Sequence, residues 1–179
     1  MPKVLVPDNT VLVNFAIIQR MDLLADLVNG HGQWCLTIAR ECTRSQVHYS
    51  DLVHANGIFG SPLTPSPAEL IQTQILRTGM ASPGEPSTQH LGEAESIAII
   101  LYRTIDAIFL TDDLGAKTLA ARHDIKVVTT WDLLRMACRV GKLAADVLAG
   151  YLRTLAANNR GHPPGVVPAD PASITAWLQ

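Results

Sequence analysis

The sequence predicts a three-layer α/β fold in which a central parallel sheet of four to five strands is flanked by helices. Three observations lead there. In the second half of the chain, short apolar runs alternate with helix-length segments, the pattern of a parallel sheet with helices on both faces. Acidic residues recur where those runs end. The length of 179 residues suits one compact domain with appendages, since domains most often run to ~100–150 residues.

Each element has its own signal. Lys3 to Val6 reads as a first strand, stopped by Pro7 and Asp8. A helix is expected from Thr10 through about Val28, because Leu23, Leu24, Leu27 and Val28 form a helical stripe that ends at Gly30. Trp34 to Leu36 reads as a second strand, with Thr37 as cap of a helix carrying Arg40, Glu41 and Arg44. A third short strand is expected near Ile58 and Phe59. Pro65 and Pro67 introduce a helix from Ala68 to about Arg77, and Gly79 to Gln89 is a turn-rich linker.

The alternation is clearest beyond this point. His90 to Arg103 reads as helix, Ala107 to Leu110 as a buried strand, Leu114 to His123 as helix, Lys126 to Thr129 as strand and Trp131 to Val140 as helix. The main unit is read as 1–142. Residues 143–179 append to the same domain a helix, Leu143 to Ala156, and a Pro/Gly-rich tail expected to be extended before the apolar SITAWLQ. Packing of Ile174, Trp177 and Leu178 on the chain's own core is the expectation, with a second subunit or a partner as the other uses of that end.

Composition narrows the function classes. A hydrophobic fraction of 47% with 17% charged residues excludes general disorder, and 5% aromatics point to an aliphatic interior. The net charge of −2 excludes a long-range positive field, so any polyanion binding must be local. The apolar stretches at Ile97 to Tyr102 and Ile108 to Leu110 are far below membrane-spanning length, and the opening MPKVLVPD lacks a signal-peptide run. Cys35, Cys42 and Cys138 cannot all pair within the chain, which suits a reducing compartment. The expected location is cytoplasmic, with no membrane association.

Chemistry is expected where strands hand over to helices, because ligands of open parallel sheets collect outside the carboxyl ends of the strands. Asp8 follows the first strand, and Asp112 and Asp113 follow the run Ile108-Phe109-Leu110-Thr111. Carboxylates crowded there repel one another and lose hydration, a cost that a divalent cation offsets. The plain alternative for a single Asp is helix capping, which contributes ~1 kcal/mol. Glu41 lies about one turn into its helix, and Glu93 and Glu95 open LGEAESIAIILYR. At ~100° per residue, Glu93 falls ~40° from Ile97 and Glu95 ~200° from it, so the two cannot share a face. Glu93 is the one aimed at the sheet edge.

In order and spacing, VLVPDNTVLVNF, ECTRSQ, LGEAESIAIILY and FLTDDLGAKTLA resemble the acidic motifs of PIN-domain ribonucleases, including the VapC-type toxins of bacterial toxin–antitoxin pairs. The resemblance covers Val4 to Lys142 and ends in VVTTWDLLRMACRVGKL, similar to the last strand and helix of one bacterial PIN subgroup. It implies a PIN-like nuclease domain, a metal-dependent endoribonuclease that hydrolyses RNA phosphodiester bonds, and the catalytic acids Asp8, Glu41, Glu93 and Asp113. Glu95 and Asp112 are the alternates among the metal ligands. The third acid stands in a Glu-rich context where the family often has Asp, so Glu93 and Glu95 both stay open.

An all-oxygen donor set selects Mg2+ or Mn2+. Asn9, Thr10 and Thr111 are candidates to hydrogen-bond the carboxylates. Arg40 and Arg44 beside Glu41, and a second stripe of Arg135, Arg139 and Lys142, are candidates for RNA phosphate contacts. The six histidines show no metal-ligand spacing and are read as incidental. The resemblance further implies a homodimer and an antitoxin partner. Two other readings compete: a PIN-like module that binds RNA or protein without catalysis, and a phospho-receiver domain, which fits poorly because its paired acids belong after the first strand.

Overall fold

The computed structural model describes residues 3–179. Its sheet consists of β1 (Val4–Pro7), β2 (Ala107–Leu110) and β3 (Lys126–Val128), all parallel and in that order. Val4 stands opposite Ala107 and Pro7 opposite Leu110, while Ile108 pairs with Lys126 and Leu110 with Val128. This register brings Asp8 level with Thr111, because Asp8 N–H donates to Leu110 O at 2.8 Å and Thr111 N–H to Val128 O at 3.2 Å.

Strand alternation sends side chains to two separate cores. Val6, Ala107 and Phe109 join a cluster with Leu76, Ala94, Ile97, Ala98, Ile100, Ala116, Leu119 and Ala120. These come from α5 (Pro67–Met80), α6 (Leu91–Tyr102) and α7 (Leu114–Arg122). Leu5, Ile108, Leu110 and Val128 face the larger cluster. That side is covered by α1 (Asn9–Ile17), α2 (Met21–Val28), α3 (Leu36–Ser45), α4 (Ala55–Phe59), α8 (Thr130–Arg139) and α9 (Ala145–Ala157). Helix α6 is apolar nearly all round, the mark of a buried helix, and Ile99 on its other side joins the larger core.

Three strands are present among the described residues where four to five were expected. Trp34 to Leu36 does not form a strand. The chain there makes only isolated bridges, Gly32 to Leu5 of β1 and Cys35 to Leu63, and then turns into α3 at Leu36. Cys35, not Thr37, caps that helix, its sulfur accepting from Ile38 N–H. Ile58 and Phe59 lie in α4, and Phe59 packs its ring 5.7 Å from that of Trp34. Runs this short carry no period that separates strand from helix, and burial against Trp34 decided it.

Two further differences have local causes. The helix expected from Thr10 to Val28 is broken in two, with Gln19 left-handed at φ 54° so that α2 can fold back on α1. The tail ends in a tenth helix, α10 (Pro171–Leu178). Asp170 caps it, accepting from Ala172 N–H at 3.0 Å and Ser173 N–H at 3.2 Å, and Pro171 supplies a preset first-turn φ. Ile174 is buried in the main core, and Trp177 and Leu178 pack against it. No helix among the described residues is long and apolar enough to cross a membrane.

Candidate metal centre

Asp8 is 2% exposed at the carboxyl end of β1. Capping does not account for it, since its side chain makes no cap bond to α1. One of its oxygens, Oδ2, accepts from Thr10 Oγ1 at 2.5 Å and from Thr111 Oγ1 at 2.9 Å. Burial pushes its carboxyl above the ordinary range, the two threonine hydroxyls pull it back, and Asp113 adds repulsion.

Asp113 begins α7, where its Oδ1 accepts from Ala116 N–H at 2.7 Å. It therefore caps with one oxygen and keeps the other for the cluster. Asp112, next to it, faces elsewhere. Its oxygens accept from Thr130 N–H at 2.9 Å, from Asn14 Nδ2 at 2.8 Å and from the Thr130 hydroxyl.

Glu93 and Glu95 divide in the same way. Glu95 is buried with both oxygens on Thr37, taking its N–H at 2.9 Å and its hydroxyl at 2.7 Å, which ties α6 to the first turn of α3. Glu93, one residue before the intervening Ala94, faces the acids. Gly92 allows this approach: a Cβ there would stand 2.4 Å from Ile38 Cδ1 and 3.2 Å from both oxygens of Glu41. A larger residue would oblige the Ile38 side chain and the Glu41 carboxylate to shift.

Burial, followed by repulsion from Asp8, raises Glu41 from an ordinary 4.5 to about 7, with Arg44 opposing the rise. The same order of causes, with Glu41 and Asp113 adding their charge, raises Glu93 to about 8. Asp8, Glu41, Glu93 and Asp113 thus share one electrostatic neighbourhood although they come from four separate parts of the chain. None of the four is held in an ion pair among the described residues. Buried and half-buried carboxylates that repel one another and form no ion pair are the donor set that suits a hard divalent cation.

Beside Glu41 opens a cleft of about 390 Å³ lined by Asn9, Arg44, Ser45, His48 and Thr88. Asn9 Oδ1 is buried there without a hydrogen-bond partner, while its Nδ2 donates to Ser45 Oγ at 3.3 Å. Arg44 also borders a second groove of about 540 Å³, over Arg40, Ala39 and Asn56. The other basic stripe is occupied within the fold. Arg135 stacks over the Trp177 ring at 5.7 Å, Arg139 donates to Gln179 O at 3.4 Å, and Lys142 pairs with Asp26 at 3.0 Å.

Sequence reasoning missed two contributors. Asn14, buried in the run VLVNFA, donates to Asp112 and to Thr130 Oγ1 and accepts from Arg160 Nε at 2.6 Å. An Asn inside an otherwise apolar helix was the available signal. His90 is the other: it offers a ring nitrogen that lies, with one oxygen each of Glu93 and Asp113, in a group whose members are all within 4.8 Å of one another. No spacing in the sequence announces it.

A parallel sheet with its acids gathered past the strand ends defines a class of metal-binding α/β domains, and comparison with known proteins makes the class specific. The family profile described as DUF3368: PIN domain matches residues 4–160, and the chain belongs to that PIN-domain family. No curated protein and no solved structure matches it significantly.

Proposed function

We propose that the protein is a metal-dependent endoribonuclease that uses Mg2+ or Mn2+ to hydrolyse RNA phosphodiester bonds. The observation that carries this reading is that Asp8, Glu41, Glu93 and Asp113 share one electrostatic neighbourhood past the strand ends with none of them in an ion pair among the described residues. These four are the ligands we assign. Glu95 and Asp112, with their oxygens committed to Thr37, Thr130 and Asn14, hold α3 and the β2–α7 turn in place.

Asp8, Glu41, Glu93 and Asp113 would hold a hard divalent cation, which would supply Lewis-acid activation of water and charge neutralisation at the scissile phosphate. The chain's own residues do the rest. Thr10 and Thr111 fix the Asp8 carboxylate through its Oδ2. Glu41, at the mouth of the cleft, takes the proton that the attacking water sheds. Arg44 and Arg40 line the approach and hold the RNA backbone, a local attraction that suits a chain of net charge −2.

The biological role we assign is that of the toxin in a cytoplasmic toxin–antitoxin pair, working as a homodimer. The exposed apolar residues Leu70, Ile71 and Ile75 of α5 suit a subunit contact. Cleavage of single-stranded RNA by the full chain tests the activity. Mg2+ or Mn2+ should support cleavage, and chelation or Asp8→Asn should abolish it; undiminished cleavage by Asp8→Asn would overturn the reading.

A further inference from the structure

The stretch Gly79 to Gln89 reads as a turn-rich linker in sequence, yet the fold clamps its later part. Arg77 of α5 donates through Nε to Gln89 O at 3.0 Å and through Nη2 to Pro86 O at 2.9 Å. Glu85 is held in turn, accepting from Ser82 N–H at 2.9 Å. The clamped segment delivers His90, left-handed at φ 62°, to the start of α6 directly before Gly92 and Glu93.

The two nitrogens of that ring have different surroundings. Nε2 lies 3.4 Å from Glu85 Oε2. Nδ1 is buried without a hydrogen-bond partner among the described residues, a costly condition for a ring nitrogen that nothing else satisfies. A carboxylate beside one nitrogen selects the tautomer protonated there and leaves the other with its lone pair free, which is the arrangement by which ligating histidines are oriented. One ring nitrogen of this imidazole lies within 4.8 Å of an oxygen each of Glu93 and Asp113, and the nitrogen with the free lone pair is the one able to ligate.

We infer that His90 Nδ1 is a ligand of the metal centre, oriented by Glu85, and that it makes the site a mixed nitrogen–oxygen one that favours Mn2+ and its heavier first-row neighbours over Mg2+. The inference rests on the metal centre proposed above and adds to it. Imidazole binds first-row transition ions well, whereas Mg2+ prefers oxygen and retains water. Glu85 acts through His90 and is a positioning residue.

Pulsed electron paramagnetic resonance of Mn2+ bound to the full chain, prepared without a polyhistidine tag, tests the inference directly. The wild-type protein should show nitrogen modulation from a coordinated imidazole that changes on 15N-histidine labelling. His90→Gln should remove it, while His48→Gln, altered in the neighbouring cleft, should keep it. In titrations His90→Gln should weaken Mn2+ about tenfold or more and leave Mg2+ within about threefold.

The wild-type spectrum needs no variant to fold, so the outcome is decisive either way. Mn2+ that binds in an Asp8-dependent manner without nitrogen modulation would overturn the role of His90 and leave the carboxylate centre standing. Modulation that persists in His90→Gln would also overturn it. Failure of the wild-type chain to bind Mn2+ would remove both readings.

Discussion

The two ends of the sheet both carry acids, and they treat them in opposite ways. At the amino ends, Lys3 Nζ pairs with Asp106 Oδ1 at 2.5 Å, and Asp124, His123 and Lys126 share the same shallow depression. Acids and bases alternate there, and the pair is exposed to water. At the carboxyl ends, Asp8, Glu41, Glu93 and Asp113 lie buried or half-buried with no ion pair among the described residues. Neutralised surface acids ask for no further explanation. Acids kept together against their own repulsion do, because folding alone would disperse them.

The largest effect that would sharpen this contrast is on cleavage. Asp8→Asn should lower metal-dependent RNA cleavage by ~10²-fold or more, since it removes a group meeting the reacting centre. Asp106→Asn, at the opposite end, should leave the rate within about twofold, a surface change away from the site. Rates measured side by side on one RNA decide it; equal losses would erase the distinction between the ends.

Stability against pH comes next. Glu41 and Glu93 have folded values of about 7 and about 8 against an ordinary 4.5. Between those limits the folded chain keeps protons that the unfolded chain has released, so stability falls as pH rises through the interval. Without metal, Tm should be lower by ~4 °C or more at pH ~8 than at pH ~5. Mn2+ should restore most of that loss at the higher pH and do little at the lower, where protons occupy the ligands. A metal-free Tm that climbs between the two would contradict the crowding of these acids.

Smaller effects separate the basic residues. Arg44→Ala should weaken RNA binding several-fold and reduce the salt slope by about 1. Arg139→Ala, whose guanidinium serves the chain terminus, should leave both unchanged in the same filter-binding series. Lys3→Ala should cost ~0.2–1 kcal/mol in stability, as exposed pairs do, with no change in cleavage.

Much of this architecture is legible without coordinates, and its legibility follows from period and length. The strand–helix alternation from Ala107 to Arg139 could be read because each helix is long enough to show its stripe and each strand is bounded by turn residues. Within Gly30 to Pro65 the helix carrying Glu41 is legible, whereas Trp34 to Leu36 and Ile58 to Phe59 look like strands in sequence and are not, because runs that short show no period. There, contacts such as Phe59 on Trp34 chose the backbone conformation. The tail's last helix was legible in hindsight from Asp170 and Pro171, a capping residue followed by a first-turn proline.

By itself, the sequence determined the parallel α/β class, the acids at strand and helix ends and the family pattern they compose, since all three rest on local order along the chain. Only the tertiary structure decided which oxygens are already committed to hydrogen bonds, how Gly92 brings α6 onto Glu41, and that a clamped segment carries His90 to the same edge. The physical reason is distance along the chain. Spacing reports what neighbours do, whereas charge repulsion, desolvation and ligand geometry depend on residues that become neighbours only after folding.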